Sequence, residues 1–251
     1  MIYLFSQEGR QALEALAGRS ILYAFDFDGT LAPISSDRDA VVIPQTIKQS
    51  LKALAARMPC AIVSGRSLDD LVPRVDEAVP YLIGNHGLES PFTPTETLYE
   101  ARETCRIWMK DILRDSAALR AGGIDIEDKQ YSVTFHYRHA VDVAASRTGL
   151  LKLLRELSPV PHVLFGKLSL NILPPGQRGK GEGVSRLMKH LRQEGVFYVG
   201  DEETDENVFE TNDGLVVGVR VGRQKKSRAG YYLNHQGEVE DLLQFLVRWL
   251  K

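Results

Sequence analysis

Short apolar runs alternate along this chain with stretches of helical spacing, and the runs end in glycine and acid. Ile21 to Phe25 (ILYAF) is apolar throughout and breaks at Asp26. Cys60 to Val63 breaks at Ser64-Gly65-Arg66, Tyr81 to Ile83 at Gly84-Asn85-His86-Gly87, and Val196 to Val199 at Gly200-Asp201; Leu215 to Val219 is a fifth such run. Thr46 to Met58 carries its apolar residues at helical spacing. Short, fully apolar strands separated by helices predict a parallel sheet covered on both faces. Ligands of such sheets sit beyond the carboxyl ends of the strands. The sets FDFDGT, VSGR, GNHG and VGDEETDE all fall at strand ends, so chemistry is expected along one edge.

Between Ala101 and Leu173 the pattern changes. Ala101 to Arg120 reads as a helix with a packing stripe of Cys105, Trp108, Met109, Ile112 and Leu119. Tyr131 to Arg138 alternates strictly, with Tyr131, Val133, Phe135 and Tyr137 on one face and Ser132, Thr134, His136 and Arg138 on the other. Asp142 to Leu157 is helix-like. Lys167 to Ile172 alternates again, with Lys167, Ser169 and Asn171 opposite Leu168, Leu170 and Ile172. The expectation is an α/β core domain over residues 1–100 and 174–251, interrupted by a smaller α+β domain (αββαββ) over 101–173. The polar face of its sheet suits sugar hydroxyls.

Composition narrows this little. With 251 residues and 43% hydrophobic, the chain can build one large domain or a core with a companion. Thirty-one basic residues against 33 acids give a net charge of −2, with no global pull toward nucleic acid or an anionic membrane. The basic run Arg220 to Arg228 lacks interleaved aromatics and reads as a solvated loop rather than an RNA contact. No run approaches the ~20 apolar residues of a membrane span. The N-terminus lacks a secretion pattern, and Cys60 and Cys105 lack CxxC spacing. A cytoplasmic protein with free thiols is expected.

Candidate chemistry starts at Asp26 and Asp28. Residues two apart on a strand share a face, and carboxylates so close call for a divalent cation or a shared proton. Mg²⁺ suits such oxygen ligands, and Asp201, at another strand tip, is the natural further ligand. A carboxylate can also attack phosphorus and form an aspartyl-phosphate.

FDFDGTLAPI, VSGR, the lysine of PPGQRGKGEGV and GDEETDENVF resemble, in order and spacing, the four motifs of the haloacid dehalogenase superfamily of aspartate-nucleophile phosphatases. DGTLAPI, SGR, EDKQYSVTFHYR and GDEETDENVF further resemble the trehalose-6-phosphate phosphatase family within it. The resemblance spans essentially the whole chain. It implies a Rossmann-like core with a cap domain and Mg²⁺-dependent hydrolysis of trehalose 6-phosphate. Asp26 would be the nucleophile and Asp28 the acid and base, with Lys180 binding the phosphate and Asp26. Ser64, Gly65 and Arg66 would serve the phosphoryl group, although Arg66 reads equally as a partner for an acid on the following helix. Asp26, Asp28 through its carbonyl, and Asp201 would hold the metal, and Asp205 would order the metal shell or Lys180.

By the same resemblance Glu127, Lys129, His136, Arg138 and Asn171 would bind the sugar. Asn171 departs from the family, which usually has glutamate there; an amide accepts at one end and donates at the other. Glu202 is a second, milder departure. Coupling to the synthase that makes the disaccharide phosphate is implied, and a monomer is expected. Two alternatives stay open: the same mechanism on another glycosyl phosphate, or a silent sugar-phosphate sensor.

Overall fold

The structure, a computed structural model, describes residues 1–35 and 37–250. Contacts divide the chain into two compact units, Met1–Phe92 with Lys180–Lys251, and Thr93–Gly179.

In the first unit β1 (Ile2–Tyr3) and α1 (Gln7–Glu14) precede β2 (Ile21–Phe25), followed by α2 (Gln45–Ala55), β3 (Cys60–Val63), α3 (Leu68–Val75) and β4 (Tyr81–Ile83). The second unit comprises α4 (Thr95–Arg114), α5 (Ser116–Ala121), β5 (Asp125–Asp128), β6 (Val133–His136), α6 (Val143–Glu156), β7 (His162–Gly166) and β8 (Ser169–Leu173). The chain returns with α7 (Lys180–Leu191), β9 (Gly195–Gly200), α8 (Glu206–Phe209), β10 (Leu215–Val221), β11 (Tyr231–Leu233) and α9 (Glu238–Trp249).

The first unit's sheet has the order β1-β11-β10-β9-β2-β3-β4, with every pairing parallel. β2, an interior strand between β9 and β3, is apolar at every position because both faces are covered. Ile21, Tyr23 and Phe25 join one core with α1, α2 and α9, while Leu22 and Ala24 join the other with α7. Parallel pairing puts the ends of β2, β3, β4, β9 and β10 at one edge.

Two strands lie where the apolar pattern is too short to announce them: β1, in the N-terminal patch, and β11, its partner. β10 also runs past Val219 to Val221, so Arg220 is a buried strand residue rather than the start of a solvated loop.

The second unit's sheet is antiparallel, β5-β6-β8-β7. Val133, Phe135, Leu170 and Ile172 pack against Cys105, Trp108 and Ile112 of α4 and Leu150 and Leu154 of α6. The expected single helix to Arg120 breaks at Asp115 into α4 and α5. The expected strand from Lys167 begins instead at Ser169. Lys167 and Leu168 form the turn from β7, with Leu168 at φ 60°. No helix among the described residues is long and apolar enough to cross a membrane.

Candidate active site

Asp26 sits at the tip of β2, its amide donating to the Val199 carbonyl at 2.8 Å and so continuing the strand pairing by one residue. Its Oδ1 accepts from Lys180 Nζ at 2.7 Å, and the same ammonium donates to Asp205 Oδ1 at 2.8 Å. All three side chains are buried. The expected helix after Lys180 begins at Lys180 itself. A cation in a helix's first turn is unfavourable, and here two carboxylates offset that cost. Asp205 is further fixed by Tyr198, whose hydroxyl donates to Oδ1 at 2.7 Å, and by the Glu202 amide, which donates to Oδ2 at 2.9 Å.

The cluster is short of positive charge. Oxygens of Asp26, Asp201 and Asp205 lie within 4.8 Å of one another, and Lys180 is the ammonium set between two of them. Burial pushes the Asp26 carboxyl up, Lys180 pulls it back and Asp205 and Asp201 push it up again; it ends well above the ordinary carboxylate range. Burial, Asp205 and Glu202 push Asp201 up to about 7. Burial alone would depress Lys180, but Asp205 and Asp26 more than reverse that and raise it. Asp201 Oδ1 is buried without a hydrogen-bond partner. An orphaned carboxylate oxygen beside two further carboxylates fits a hard divalent cation.

Space here is made by glycine. Gly29 has φ 79°, and a Cβ on it would collide with the Asp201 carboxylate. Gly29→Ala is therefore expected to lower stability by about 1 kcal/mol or more through its left-handed backbone. It should also shrink whatever rise in melting temperature the parent shows on addition of Mg²⁺. An unchanged melt with and without Mg²⁺ would show that the turn tolerates a side chain.

Asp28 faces a different partner. Both its carboxylate oxygens accept from Arg66, from Nε at 2.8 Å and Nη2 at 2.7 Å. Arg66 is buried, and its Nη1 donates to Asp70 of α3 at 2.6 Å. Burial would lower the guanidinium pKa, but Asp28 and Asp70 raise it beyond its ordinary value. Arg66 is thus engaged with two acids, one of them on the following helix. Ser64 is buried at the end of β3 and its Oγ accepts from the Arg66 amide at 3.1 Å. A Cβ on Gly65 would collide with the His86 ring, so His86 walls this turn.

The residues expected on the sugar lie in the second unit. Glu127 Oε2 is 2.9 Å from His136 Nε2 and 3.7 Å from Lys129 Nζ. Thr134 is opposite both Glu127 and Asn171 in the register, and its hydroxyl donates to Asn171 Oδ1 at 2.8 Å. Arg138 is apart from this group, exposed in the turn after β6.

Two supporting residues escape a reading of the sequence. Tyr198 looks like one more apolar member of β9, and only its distant partner reveals the role of its hydroxyl. Arg220 donates to the Asp201 carbonyl at 2.6 Å, the Glu202 carbonyl at 2.9 Å and Glu206 Oε1 at 2.8 Å. A charged residue directly after an apolar run was its one available signal.

A family model described as trehalose-phosphatase matches residues 24–236. Among curated proteins the chain is 29% identical over 263 residues to "Probable trehalose-phosphate phosphatase 3" of Oryza sativa subsp. japonica, covering 93% of this chain and 71% of that one. Among solved structures it is similar to the Aspergillus fumigatus trehalose-6-phosphate phosphatase, with 27% identity, a TM-score of 0.57 and coverage of 92% and 93%. The C-terminal domain of the C. albicans trehalose-6-phosphate phosphatase shares the fold, with a TM-score of 0.73 at 22% identity over 95% of this chain and 96% of that one.

Proposed function

We propose, from the premise that the chain belongs to the trehalose-phosphatase family, that it hydrolyses trehalose 6-phosphate to trehalose and phosphate through an aspartyl-phosphate on Asp26. The observation that carries the reading is the buried Asp26–Lys180–Asp205 array beside the orphaned oxygen of Asp201. Such an array has a nucleophile, a fixed cation and a place for a second cation, which is what phosphoryl transfer requires.

In the first step an Asp26 oxygen attacks phosphorus, the bond to the sugar oxygen breaks, and Asp28 gives that oxygen a proton. In the second, Asp28 takes a proton from water as the water oxygen attacks phosphorus, and the Asp26–phosphorus bond breaks to regenerate the carboxylate. Asp28 begins as a carboxylate with both oxygens on Arg66, so before the first turnover one oxygen must leave the guanidinium and take up a proton from solvent; the second step then reloads that proton from the attacking water. Its side chain is 42% exposed, which leaves it room to turn. Lys180 neutralises Asp26 and meets the phosphoryl oxygens. Ser64 and the Gly65 amide hold those oxygens from the end of β3, and Arg66 serves the phosphate through Asp28.

Asp26 and Asp201 would hold Mg²⁺ by their side chains and Asp28 by its carbonyl, with Asp205 behind them fixing Lys180. Bound there, Mg²⁺ supplies the positive charge that the acidic cluster lacks and that the phosphoryl oxygens need. Glu127, Lys129, His136, Asn171 and Arg138 would bind the sugar. A cytoplasmic setting, a monomer and supply by the synthase that makes the disaccharide phosphate complete the proposal. Two buried free cysteines agree with a reducing compartment.

A second reading, the same chemistry on another glycosyl phosphate, is favoured by Asn171, whose carbonyl is already bonded to Thr134. Phosphate release from a panel of sugar phosphates, with and without Mg²⁺, tests both. Trehalose 6-phosphate should be the best substrate and turnover should vanish with the metal. Cleavage of another member but not of trehalose 6-phosphate would sink the first reading, and turnover of none would leave a sensor.

A further inference from the structure

We infer that Arg220 is a positioning residue for the cation site: by gripping the backbone at Asp201 and Glu202 it holds the Asp201 carboxylate against Asp26. The inference rests on the proposed metal role of the acidic cluster. β10 pairs with β9 so that Arg220 lies opposite Gly200, the last residue of β9. From there its guanidinium reaches beyond the strand end and donates to two successive carbonyls, Asp201 at 2.6 Å and Glu202 at 2.9 Å. Those carbonyls belong to the turn between β9 and the short helical turn that carries Asp205. The same Nη1 that donates to the Glu202 carbonyl also donates to Glu206 Oε1 at 2.8 Å, which further fixes the guanidinium.

Both acids of the turn depend on its course. Asp201 Oδ1 is buried without a protein hydrogen bond, and the side-chain contact of Asp201 is with Asp26, a second acid of the same cluster, so the backbone does most to orient the carboxylate. Asp205 by contrast is fixed by Lys180, Tyr198 and the Glu202 amide. The grip therefore matters most for Asp201. Supporting partners of metal ligands are typically worth ~10–100-fold in metal affinity.

The sign of the effect separates this role from that of a bystander charge. Arg220 is a cation near a cation site, and by Coulomb's law alone its removal would tighten metal binding. Removal would also free Glu206 from its ion pair and add negative charge nearby. A positioning role predicts the reverse.

The test is calorimetric titration of the full chain with Mg²⁺ and with Mn²⁺. Arg220→Met is expected to raise Kd by ~10–100-fold. Arg220→Lys, which keeps the charge but cannot span two carbonyls with a planar fork, should fall between it and the parent. Glu206→Gln, which leaves the backbone grip intact, should stay within about twofold of the parent, well short of the loss typical for a supporting partner.

Unchanged or tighter binding by Arg220→Met overturns the inference. Should that variant fail to fold, parental affinity in Arg220→Lys overturns it equally. A parent that binds neither cation refutes both this inference and the metal part of the proposed function. Cation binding lost with Arg220, in a protein that does not cleave trehalose 6-phosphate, leaves the inference standing while that function falls.

Discussion

Asp26→Asn is expected to give a folded protein whose phosphate release has fallen by at least ~10³, by analogy with the removal of other key catalytic groups. The exchange is nearly isosteric, so the buried strand tip does not have to repack. An amide oxygen can still accept from Lys180, and Asp205 still pairs with that ammonium at 2.8 Å. What disappears is the nucleophile, since a neutral amide does not displace an alkoxide from phosphorus. Stability should hold, because the substitution deletes one of the charges that burial already disfavours in the cation-free protein. Urea denaturation beside a phosphate-release assay separates the two effects. Turnover within tenfold of the parent would refute Asp26 as nucleophile, and a collapsed fold would show the carboxylate to be structural.

How far the site could be read in advance depended on how local its partners are. That Asp26 and Asp28 stand just past the end of β2 was legible, because an acidic break in an apolar run is a local fact, but the expected meeting of their carboxylates on one strand face is not what the structure has: Asp26 clusters with Asp201 and Asp205. The parallel sheet was legible because strands buried on both faces must be apolar at every position, as β2 and β9 are. The direction in which Asp28 turns was not legible. It depends on a guanidinium 38 positions away, and the same arginine could equally have faced a phosphate.

Tyr198 and Arg220 were hidden for the same reason: their polar ends meet partners that only the pairing of β9 with β10 and the turn after β9 bring near. In the second unit, strict alternation identified the apolar faces of β6 and β8 correctly. It overran into Lys167 because the turn's Leu168 continues the alternation while its backbone leaves the strand. Arg138 likewise continues the parity of β6 past the strand's end, into a turn.

Lys180→Met should have the second large effect, and on stability as well as rate. Lys180 is 2% exposed and bridges two buried carboxylates. Methionine fills similar space but leaves those carboxylates uncompensated, a change that typically costs about 3–5 kcal/mol. The dependence on pH follows from the signs of the shifts. The raised pKa of Lys180 gives stability that is fully present below its ordinary value of 10.5 and is lost only as pH rises through the folded value, so in the parent it is constant near neutrality.

Asp26 and Asp201 are also raised, and their contribution is present below the ordinary carboxylate value of 3.8 and lost as pH rises, for Asp201 through about 7. Removing Lys180 takes away the cation that lowers Asp26, so the penalty of the variant should be greatest near pH 8 and shrink toward about pH 5 as the carboxyls take up protons. Saturating Mg²⁺ should recover part of the loss at the higher pH by supplying the missing charge. Denaturation at both pH values, with and without the cation, checks this. A penalty that ignores pH and cation alike would mean that Lys180 contributes packing rather than charge, and its role as the cation facing the phosphoryl group would go with it.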